Sequence, residues 1–372
     1  MKFSRSSLLT TISCLIIITI SLLGCSDDDI SVSPDRQWSW VPLGTGVDSL
    51  SSVNAITVYN GILIAGGSFH NAGGKAVNRI AAWNGSSWEP LGSGMNGGVV
   101  ALTVYDNKLI AGGSFTTAGG VGTNYIAAWD GTSWSALGSG MNNYVWALTV
   151  YDGKLFAGGQ FTLAGGVTAN HIAVWDGSTW SPLAGGGTDR QVHSLAVWHT
   201  GDGDTALIAG GWFRFAGGFD VRCVAAWRRA QWIPLGTGMT VSDNLGVYAV
   251  ADFFDSLVAG GSFLRADANP VWNIARSGLS GWLPMGSGTD GPVLALTVFN
   301  GKLTAGGDFL VAGGVSVNHV AAWNNSTWEP LDVGIGGVVY TLGVYNGQLI
   351  AGGRFSTAGG QKALSIAAWG LH

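Results

Sequence analysis

Charge, glutamate and cysteine are all scarce in this 372-residue chain. Charged residues make up 10% of the sequence, and its two glutamates, Glu89 and Glu329, each precede the proline of a Trp-Glu-Pro-Leu segment. A pair of carboxylates for glycoside hydrolysis is therefore not apparent. The motifs HExxH and GxSxG and a phosphate-binding loop are absent, as is the 3.6-residue apolar period of a helical repeat. These absences exclude the common hydrolase motifs and the helical solenoids.

The N-terminus has the pattern of a secretory signal. Lys2 and Arg5 precede an apolar run from Leu8 to Leu23 that ends in Leu-Leu-Gly-Cys. The run is short for a membrane-spanning helix, which needs about 20 apolar residues. A retained membrane anchor is the alternative interpretation.

The Leu-Leu-Gly-Cys stretch resembles the lipobox of bacterial lipoproteins, in which the cysteine becomes the acylated first residue of the mature protein. This resemblance implies a signal peptide at residues 1–24, lipidation of Cys25 and a membrane partner reached through that lipid. The polar residues 25–37 then form a flexible tether. Ser26 follows the cysteine, which in enteric-type sorting implies the outer membrane or cell surface.

The cysteine count and the net charge limit which disulfides and which ligands the mature domain is expected to have. Cys14 leaves with the signal and Cys25 carries lipid, so Cys223 is the one thiol of the mature domain and no intrachain disulfide forms. Loss of Lys2 and Arg5 from the 17 basic and 22 acidic residues leaves a net charge of −7. This balance argues against nucleic-acid binding. No motif predicts a cofactor or a metal.

A repeat organises the rest of the chain. The pattern Gly-Gly-x-Phe occurs seven times, beginning at Gly66, Gly112, Gly158, Gly210, Gly260, Gly306 and Gly352. A period in the forties to fifties, filled with short β segments, is typical of propeller blades of four strands. The sequence predicts an all-β fold, a single seven-bladed β-propeller over residues 38–372.

One copy shows how the repeat builds a blade. Strands are predicted at 99–105, 108–113, 125–129 and 134–138. Asp130 and Gly131 are expected at the positive-φ positions of the last hairpin, between Trp129 and Trp134. Such flanking tryptophans face each other across the strand pair and recur in other copies.

The chain ends predict how the propeller closes. The domain opens on Trp-Val-Pro-Leu-Gly at 40–44, a fourth strand, and ends on a third strand at 365–370. The N-terminal strand should therefore complete the last blade, with Trp40 against Trp369.

The Gly-Gly pair, the aromatic residue before the turn and the tryptophan after it resemble kelch-type propeller repeats. Segments such as Gly-Gly-Gln-Phe-Thr-Leu-Ala-Gly-Gly and His-Ile-Ala-Val-Trp-Asp-Gly-Ser-Thr-Trp resemble the repeats of the cortical cell-polarity marker family. That family implies a propeller-like ectodomain at a cell surface. The resemblance covers residues 38–372 and carries fold rather than chemistry.

Candidate binding residues lie where the repeat varies. The loops after the second and fourth strands emerge on one side, here called the long-loop face, and such loops usually carry function. Seven of the eleven arginines fall between 190 and 276, and two tryptophans lie on the same loops. The candidates on this face are Arg190, Arg214, Arg222, Arg265, Trp212 and Trp272. Arginines beside aromatic rings suit anionic sugars, although an ordinary solvated surface is the alternative.

A second variable set occupies one position in each predicted first strand: Asn54, Val100, Trp146, His193, Tyr248, Leu294 and Tyr340. These side chains are expected near the mouth of the central channel, and His193 and Tyr248 join the candidate site. Interblade packing is the alternative for Trp146 and Tyr340. The recurring asparagines Asn78, Asn124, Asn170, Asn273 and Asn318 are interpreted as backbone caps.

The pattern favours a non-enzymatic surface module that binds a glycan or a protein. Copper radical oxidases also use kelch-type propellers, and His171, His193, Cys223, Tyr248 and His319 are the residues such an oxidase would draw on here. A carbohydrate-active enzyme and a purely structural envelope protein also stay open. The Gly-Asp-Gly-Asp segment at 201–204 is interpreted as an enlarged turn rather than a calcium site.

Overall fold

A computed structural model describes residues 37–240, 246–279 and 281–372, which form one unit from Gln37 to His372. Every regular element in these residues is a β-strand. None of the described residues forms a helix that is long and apolar enough to cross a membrane. The predicted signal peptide, Cys25 and most of the tether lie outside the described residues.

The main strands of the described residues group into seven sheets, numbered here in chain order. Small loop strands lie between the second and third main strands of each sheet, and one further short strand, β26, precedes sheet 5. Strand β1 is Trp38–Pro42. Sheet 1 contains β2 Val53–Tyr59, β3 Ile62–Gly67, β6 Ile80–Trp83 and β7 Trp88–Pro90, with loop strands β4 Asn71–Ala72 and β5 Lys75–Ala76. Sheet 2 contains β8 Val99–Tyr105, β9 Lys108–Gly113, β12 Ile126–Trp129 and β13 Trp134–Ala136, with β10 Thr117–Ala118 and β11 Val121–Gly122. Sheet 3 contains β14 Val145–Tyr151, β15 Lys154–Gly159, β18 Ile172–Trp175 and β19 Trp180–Pro182, with β16 Leu163–Ala164 and β17 Val167–Thr168.

The later sheets follow the same plan with small departures. Sheet 4 contains β20 Val192–His199, β21 Thr205–Gly211, β24 Val224–Arg228 and β25 Gln231–Pro234, with β22 Phe215–Ala216 and β23 Phe219–Asp220. Sheet 5 contains β27 Val247–Phe253, β28 Ser256–Gly261, β31 Ile274–Gly278 and β32 Gly281–Pro284, with β26 Met239–Thr240, β29 Arg265–Ala266 and β30 Asn269–Pro270. Sheet 6 contains β33 Val293–Phe299, β34 Lys302–Gly307, β37 Val320–Trp323 and β38 Trp328–Pro330, with β35 Val311–Ala312 and β36 Val315–Ser316. Sheet 7 contains β39 Ile335–Tyr345, β40 Gln348–Ala358 and β42 Ile366–Leu371, with β41 Gln361–Lys362.

Each sheet is antiparallel, with its strands hydrogen-bonded in chain order. The first strands of consecutive sheets lie beside one another, and β39 of sheet 7 contacts β2 of sheet 1. Sheet 7 takes its fourth strand from the other end of the chain, because β1 pairs with β42 and sets Trp40 opposite Trp369. The first strand therefore completes the last sheet, as the sequence predicted.

Tryptophans join neighbouring sheets as well as the hairpins that they flank. The rings of Trp129 and Trp134 lie 5.3 Å apart across their hairpin. The indole Nε1 of Trp134 also donates a hydrogen bond of 2.9 Å to the carbonyl of Leu91, in the connection from sheet 1. Burial of a large ring with its one donor satisfied explains why the residue recurs.

Two local expectations needed correction. Gly131 has a φ of 105°, but Asp130 does not have a positive φ. The Asp130 carboxylate instead accepts hydrogen bonds from the backbone of Thr132 and Ser133, which holds the pKa of that carboxyl below its usual range. The small hairpins in the loops, such as β10 with β11, were not predicted. Each of these loops bridges to the connection before its sheet, as Ala118 does to Met95.

Candidate functional site

Every first strand carries a β-bulge at the position that varies in the sequence. In β8, Val99 pairs with Gly113 and Ala101 pairs with Gly112, so Val100 is the extra residue. The other bulged residues are Asn54, Trp146, His193, Tyr248, Leu294 and Tyr340. A bulge redirects its side chain, and bulges often occur beside functional sites.

The Gly-Gly pair makes this arrangement possible. A Cβ on Gly113 would lie 2.0 Å from the carbonyl oxygen of Gly98, which immediately precedes β8. A Cβ on Gly112 would lie 2.6 Å from Cγ1 of Val145 in the next sheet. The second glycine therefore permits the bulge, and the first permits close packing between sheets. The repeated motif serves to present seven variable side chains.

Four aromatic rings form a cluster in sheets 3 to 5, here called the channel-mouth cluster: Trp146, His193, Trp212 and Tyr248. The centroid of His193 lies 4.1 Å from that of Trp146 and 4.8 Å from that of Trp212. Tyr248 meets the His193 ring edge to face at 5.6 Å. Trp212 is the x residue of its Gly-Gly-x-Phe motif, a position that holds serine in sheets 1, 2 and 5.

The polar atoms of the channel-mouth cluster are poorly satisfied. Nε2 of His193 is buried and has no hydrogen-bond partner. Nε1 of Trp212 is buried without a hydrogen bond of good geometry, although it lies near enough to the Tyr248 hydroxyl to oppose the rise in the pKa of that group. Burial lowers the pKa of His193 to about 4 and raises the pKa of Tyr248. The imidazole is therefore neutral at pH 7. Buried polar atoms without partners are uncommon and cost stability, so the cluster contains unused hydrogen-bonding capacity.

A small cavity of about 190 Å³ adjoins the cluster. It is lined by the bulged residues Asn54, Val100, Trp146 and His193, by the strand residues that follow them, and by Thr341 of sheet 7. The bulged residues of sheets 1 to 4 thus line one cavity. Cys223 is buried, and burial raises the pKa of its thiol to about 12.

The four arginines are exposed, but two of them share an acidic partner. Nη2 of Arg214 lies 2.9 Å from the Asp220 carboxylate, and Nε of Arg222 lies 3.4 Å from it. Arg265 donates to the carbonyl of Ala268, and Arg190 is exposed. The positive charge of this arc is therefore partly offset within the arc.

Trp272 and Trp212 have different environments. Trp272 is 50% exposed, has a φ of 43° and occupies the position of the repeated asparagine. The side-chain amides of Asn78, Asn124 and Asn318 cap the backbone as interpreted, each donating to a carbonyl of the following connection. Asn273 was placed in this series wrongly: it lies one position later in its copy and donates to the carbonyl of Thr289. Trp272 therefore stands on the long-loop face outside the channel-mouth cluster.

The residues named for a copper oxidase are only partly brought together. His193 contacts Tyr248, whereas Nδ1 of His319 lies 3.2 Å from the carbonyl of Gly307 and 3.8 Å from Asp308. Burial lowers the pKa of His171. Across residues 37–240, 246–279 and 281–372, no group of three His, Cys, Asp or Glu side chains is arranged to hold a metal ion.

The Gly-Asp-Gly-Asp segment forms a turn between β20 and β21. Its carboxylates pair with arginines of the next hairpin: Arg228 with Asp202 and Asp204, and Arg229 with Asp204. Hydrogen bonds from Thr200 and Arg228 lower the pKa of Asp202 to about 2. The turn is held by ion pairs on the hairpin side, opposite the long-loop face.

Sequence reasoning placed His193, Tyr248 and Trp212 in the candidate site but left Trp146 out of it. The ring of Trp146 lies closest to His193, so it belongs to the cluster. The signal was available, since Trp146 is the largest side chain in the variable set. Nothing in the sequence separated a binding role for Trp146 from packing between sheets, and the stacking of its ring on His193 is what places it in the cluster.

Four-stranded antiparallel sheets that repeat along the chain, with variable side chains at one end of their first strands, define a β-propeller repeat protein. The family described as "Domain of unknown function (DUF5122) beta-propeller" matches residues 106–127 and 152–173. Both stretches run from the first turn through the second strand to the third, in sheets 2 and 3.

Solved structures share the fold at low sequence identity. The extracellular domain of a hybrid two-component system from B. thetaiotaomicron is 11% identical, with a TM-score of 0.60 over 89% of this chain and 40% of that one. The WD40 β-propeller domain of Doa1 is 14% identical, with a TM-score of 0.56 over 90% and 97%. The computationally designed protein Ika8 is 15% identical, with a TM-score of 0.50 over 88% and 99%. No curated protein matches the chain.

Proposed function

We propose that this protein is a non-enzymatic binding module of the cell surface that recognises an anionic glycan through the long-loop face. The observation that carries the proposal is the channel-mouth cluster. Its rings supply faces for stacking against a sugar, and Trp212 Nε1 and His193 Nε2 supply unused hydrogen-bonding capacity. A hydroxyl both donates and accepts, so it suits an indole donor beside a neutral imidazole.

The proposed glycan is anionic because of the arginine arc, which consists of Arg190, Arg214, Arg222 and Arg265. Arg190 and Arg265 are exposed on the same loops, and Arg214 and Arg222 share the Asp220 carboxylate. The Asp189 carboxylate also lies near Arg214, where it accepts hydrogen bonds from the backbone of Arg214 and Phe215. The four guanidinium groups outnumber these two carboxylates, so a positive charge remains in this arc although the chain as a whole is acidic. Guanidinium groups bind carboxylates and sulfates with paired hydrogen bonds.

Gln37 and His372 lie on the hairpin side of the molecule. They exchange backbone hydrogen bonds of 3.1 Å, at the end of sheet 7 where the other sheets have the hairpin between third and fourth strands. The resemblance to lipoprotein signals and the extracellular domain among the structural neighbours are compatible with the proposed cell-surface location.

We also infer that the seven sheets are the blades of one closed ring of the kelch type, related to the cortical cell-polarity marker repeats. Contacts between the first and last sheets support closure: Oγ of Ser365 donates to the carbonyl of Ser51, and the Val47 amide donates to the carbonyl of Leu364. Radial repetition of blades leaves only short, protected sheet edges.

The test is a glycan-array screen of residues 36–372, followed by calorimetry with the anionic glycan that gives the strongest signal. Trp212→Ser restores the serine of Ser68, Ser114 and Ser262, so the variant should fold and lose binding. Trp272→Asn restores the repeated asparagine in the same way and serves as the matched control. Absence of any anionic hit, or equal affinity of Trp212→Ser and wild type, would refute the proposal.

Metal analysis of the same purified protein tests the oxidase alternative directly. Copper bound in stoichiometric amount, with loss of copper in Tyr248→Phe, would replace the binding module by an oxidising enzyme. A folded protein without metal and without any glycan hit leaves the structural envelope protein as the remaining possibility.

A further inference from the structure

A second cavity lies between sheets 6 and 7, on the hairpin side of the molecule and away from the channel-mouth cluster. Its volume is about 390 Å³, which is within the range of small-molecule sites. Its walls include the rings of Trp38, Phe299 and Trp369, and its polar groups include Lys302 and Glu329. None of these residues belongs to the long-loop face.

The floor of this cavity is a row of paired residues across sheet 6. Thr304 pairs with Ala322, and Ala322 pairs with Glu329. The residue at the Thr304 position is bulky and apolar in every other sheet: Ile64, Ile110, Phe156, Ile208, Val258 and Ile350.

Sheet 3 shows what that bulk does. The ring of Phe156 lies 5.9 Å from Trp227 of the next sheet and fills the space between the sheets. Thr304 is also buried, at 1% exposure, and it is smaller than the isoleucines and the phenylalanine at this position, although Val258 of sheet 5 has nearly its size. The cavity between sheets 6 and 7 lies over this threonine, beside the rings of Trp38 and Trp369.

Trp38 forms a wall that no other sheet has. Strand β1 begins two residues before Trp40, because sheet 7 lacks the hairpin that joins third and fourth strands elsewhere. The Trp38 ring stacks on Trp369 at 6.0 Å with an interplanar angle of 27°, and it meets Phe299 nearly perpendicularly at 5.9 Å. Trp38 remains 41% exposed, so part of its surface is available to a ligand.

The polar rim places a donor beside an acceptor. Nζ of Lys302 forms an ion pair with Oε2 of Glu329, and the Asn324 amide donates to the other carboxylate oxygen. These hydrogen bonds, that of Lys302 first, lower the pKa of Glu329, so the group is a carboxylate at neutral pH. The two opposite charges cancel, and both side chains are partly exposed.

We propose that this cavity binds one sugar unit of a neutral glycan, with the pyranose ring against Trp38 and adjacent hydroxyls on Lys302 and Glu329. Aromatic walls cover the apolar face of a sugar ring. The ion pair of Lys302 and Glu329 has no net charge, so it does not attract a charged ligand. Its ammonium group can donate a hydrogen bond to one hydroxyl, and its carboxylate can accept a hydrogen bond from the next. The proposal does not depend on the function proposed for the long-loop face.

The test is saturation-transfer NMR on residues 36–372 with the methyl glycosides of glucose, galactose, mannose and N-acetylglucosamine. We expect transfer to at least one of them. Thr304→Ile introduces the residue of Ile64, Ile110, Ile208 and Ile350, which should close the cavity, preserve the fold and abolish transfer. Val258→Ile makes a similar change at the same position of sheet 5 and should leave transfer unchanged.

Two more variants separate the outcomes. Glu329→Gln should weaken binding while leaving the melting temperature nearly unchanged, because the side chain is partly exposed. Trp212→Ser should not affect this signal, so the two proposed sites can fail independently. No transfer to any of the four glycosides would overturn the proposal, as would transfer that persists in Thr304→Ile.

Discussion

Trp40 lies directly opposite Trp369 in the pairing of β1 with β42, with their ring centroids 5.5 Å apart. Trp40 is fully buried, and its indole Nε1 donates to the Leu331 carbonyl of sheet 6 at 3.0 Å. In the other sheets a short hairpin links the corresponding strands. Sheet 7 relies on hydrogen bonds and ring contacts alone, since its third and fourth strands come from opposite ends of the chain.

Deletion of residues 38–46 should destabilise the domain far more than deletion of residues 26–35. The first change removes β1 with its ladder and the buried Trp40, a loss of at least about 4 kcal/mol by comparison with large core truncations. The second shortens the predicted tether. Thermal unfolding of the two truncations checks this, and equal melting temperatures would mean that β1 is dispensable.

Gly112→Ala should destabilise the protein by about 1–3 kcal/mol, the usual cost of overpacking. The new Cβ would lie 2.6 Å from Val145 Cγ1 in the neighbouring sheet. Gly122→Ala is the matched control. A Cβ on Gly122 would have no atom within 4 Å, and Gly122 does not have a positive φ. Urea titration measures both variants. Equal effects would show that the glycine is not required for contact between sheets.

His193 should make the protein less stable in mild acid. Burial lowers its pKa from 6.5 to about 4, so the unfolded chain binds a proton that the folded protein excludes between these values. Stability is therefore lost as pH falls from about 6.5 towards 4, by roughly 1.4 kcal/mol per pH unit from this group. His193→Phe should flatten the stability profile over that window relative to wild type, measured by urea unfolding from pH 7.5 to 4.5. Parallel profiles would contradict the assignment.

Binding of an anionic polysaccharide such as polygalacturonate should weaken as salt rises, because exposed charges are screened over about 8–10 Å at ordinary ionic strength. Arg222→Ala and Arg265→Ala should lose affinity and keep their melting temperatures, since both side chains are exposed. Arg229→Ala, whose side chain is 79% exposed on the hairpin side, is the control. If all three variants bind alike, the arginine arc is ordinary solvated surface.

Cys25→Ser should abolish the proposed lipid attachment, because in the lipoprotein signals that this N-terminus resembles the cysteine thiol is the acceptor of the diacylglycerol. Metabolic labelling with a fatty acid measures this directly. Two or more acyl chains give stable anchoring, whereas one is marginal, so the variant should also leave the membrane fraction. Labelling of the variant at the wild-type level would exclude Cys25 as the anchor.

The sequence was sufficient for the main strands of the sheets and their antiparallel pairing, though not for the small loop hairpins, because strand patterns, turn residues and flanking tryptophans are local signals. It also predicted the contact of Trp40 with Trp369. The repeats begin with a fourth strand and end with a third strand, so these two strands are left to pair with each other. The repeat likewise marked the seven variable positions, although not the bulges that carry them.

Tertiary structure decided which of the candidate residues act together. Sequence reasoning named both Trp212 and Trp272 as candidates, but Trp212 contacts His193 whereas Trp272 is half-exposed on a loop outside the cluster. Arg214 and Arg222 share Asp220, which no spacing rule predicts. The cavity beside Trp38 arises where a small residue in one sheet meets the chain end in another. Such contacts depend on how the sheets pack, and packing is a relation between distant segments that local sequence does not encode.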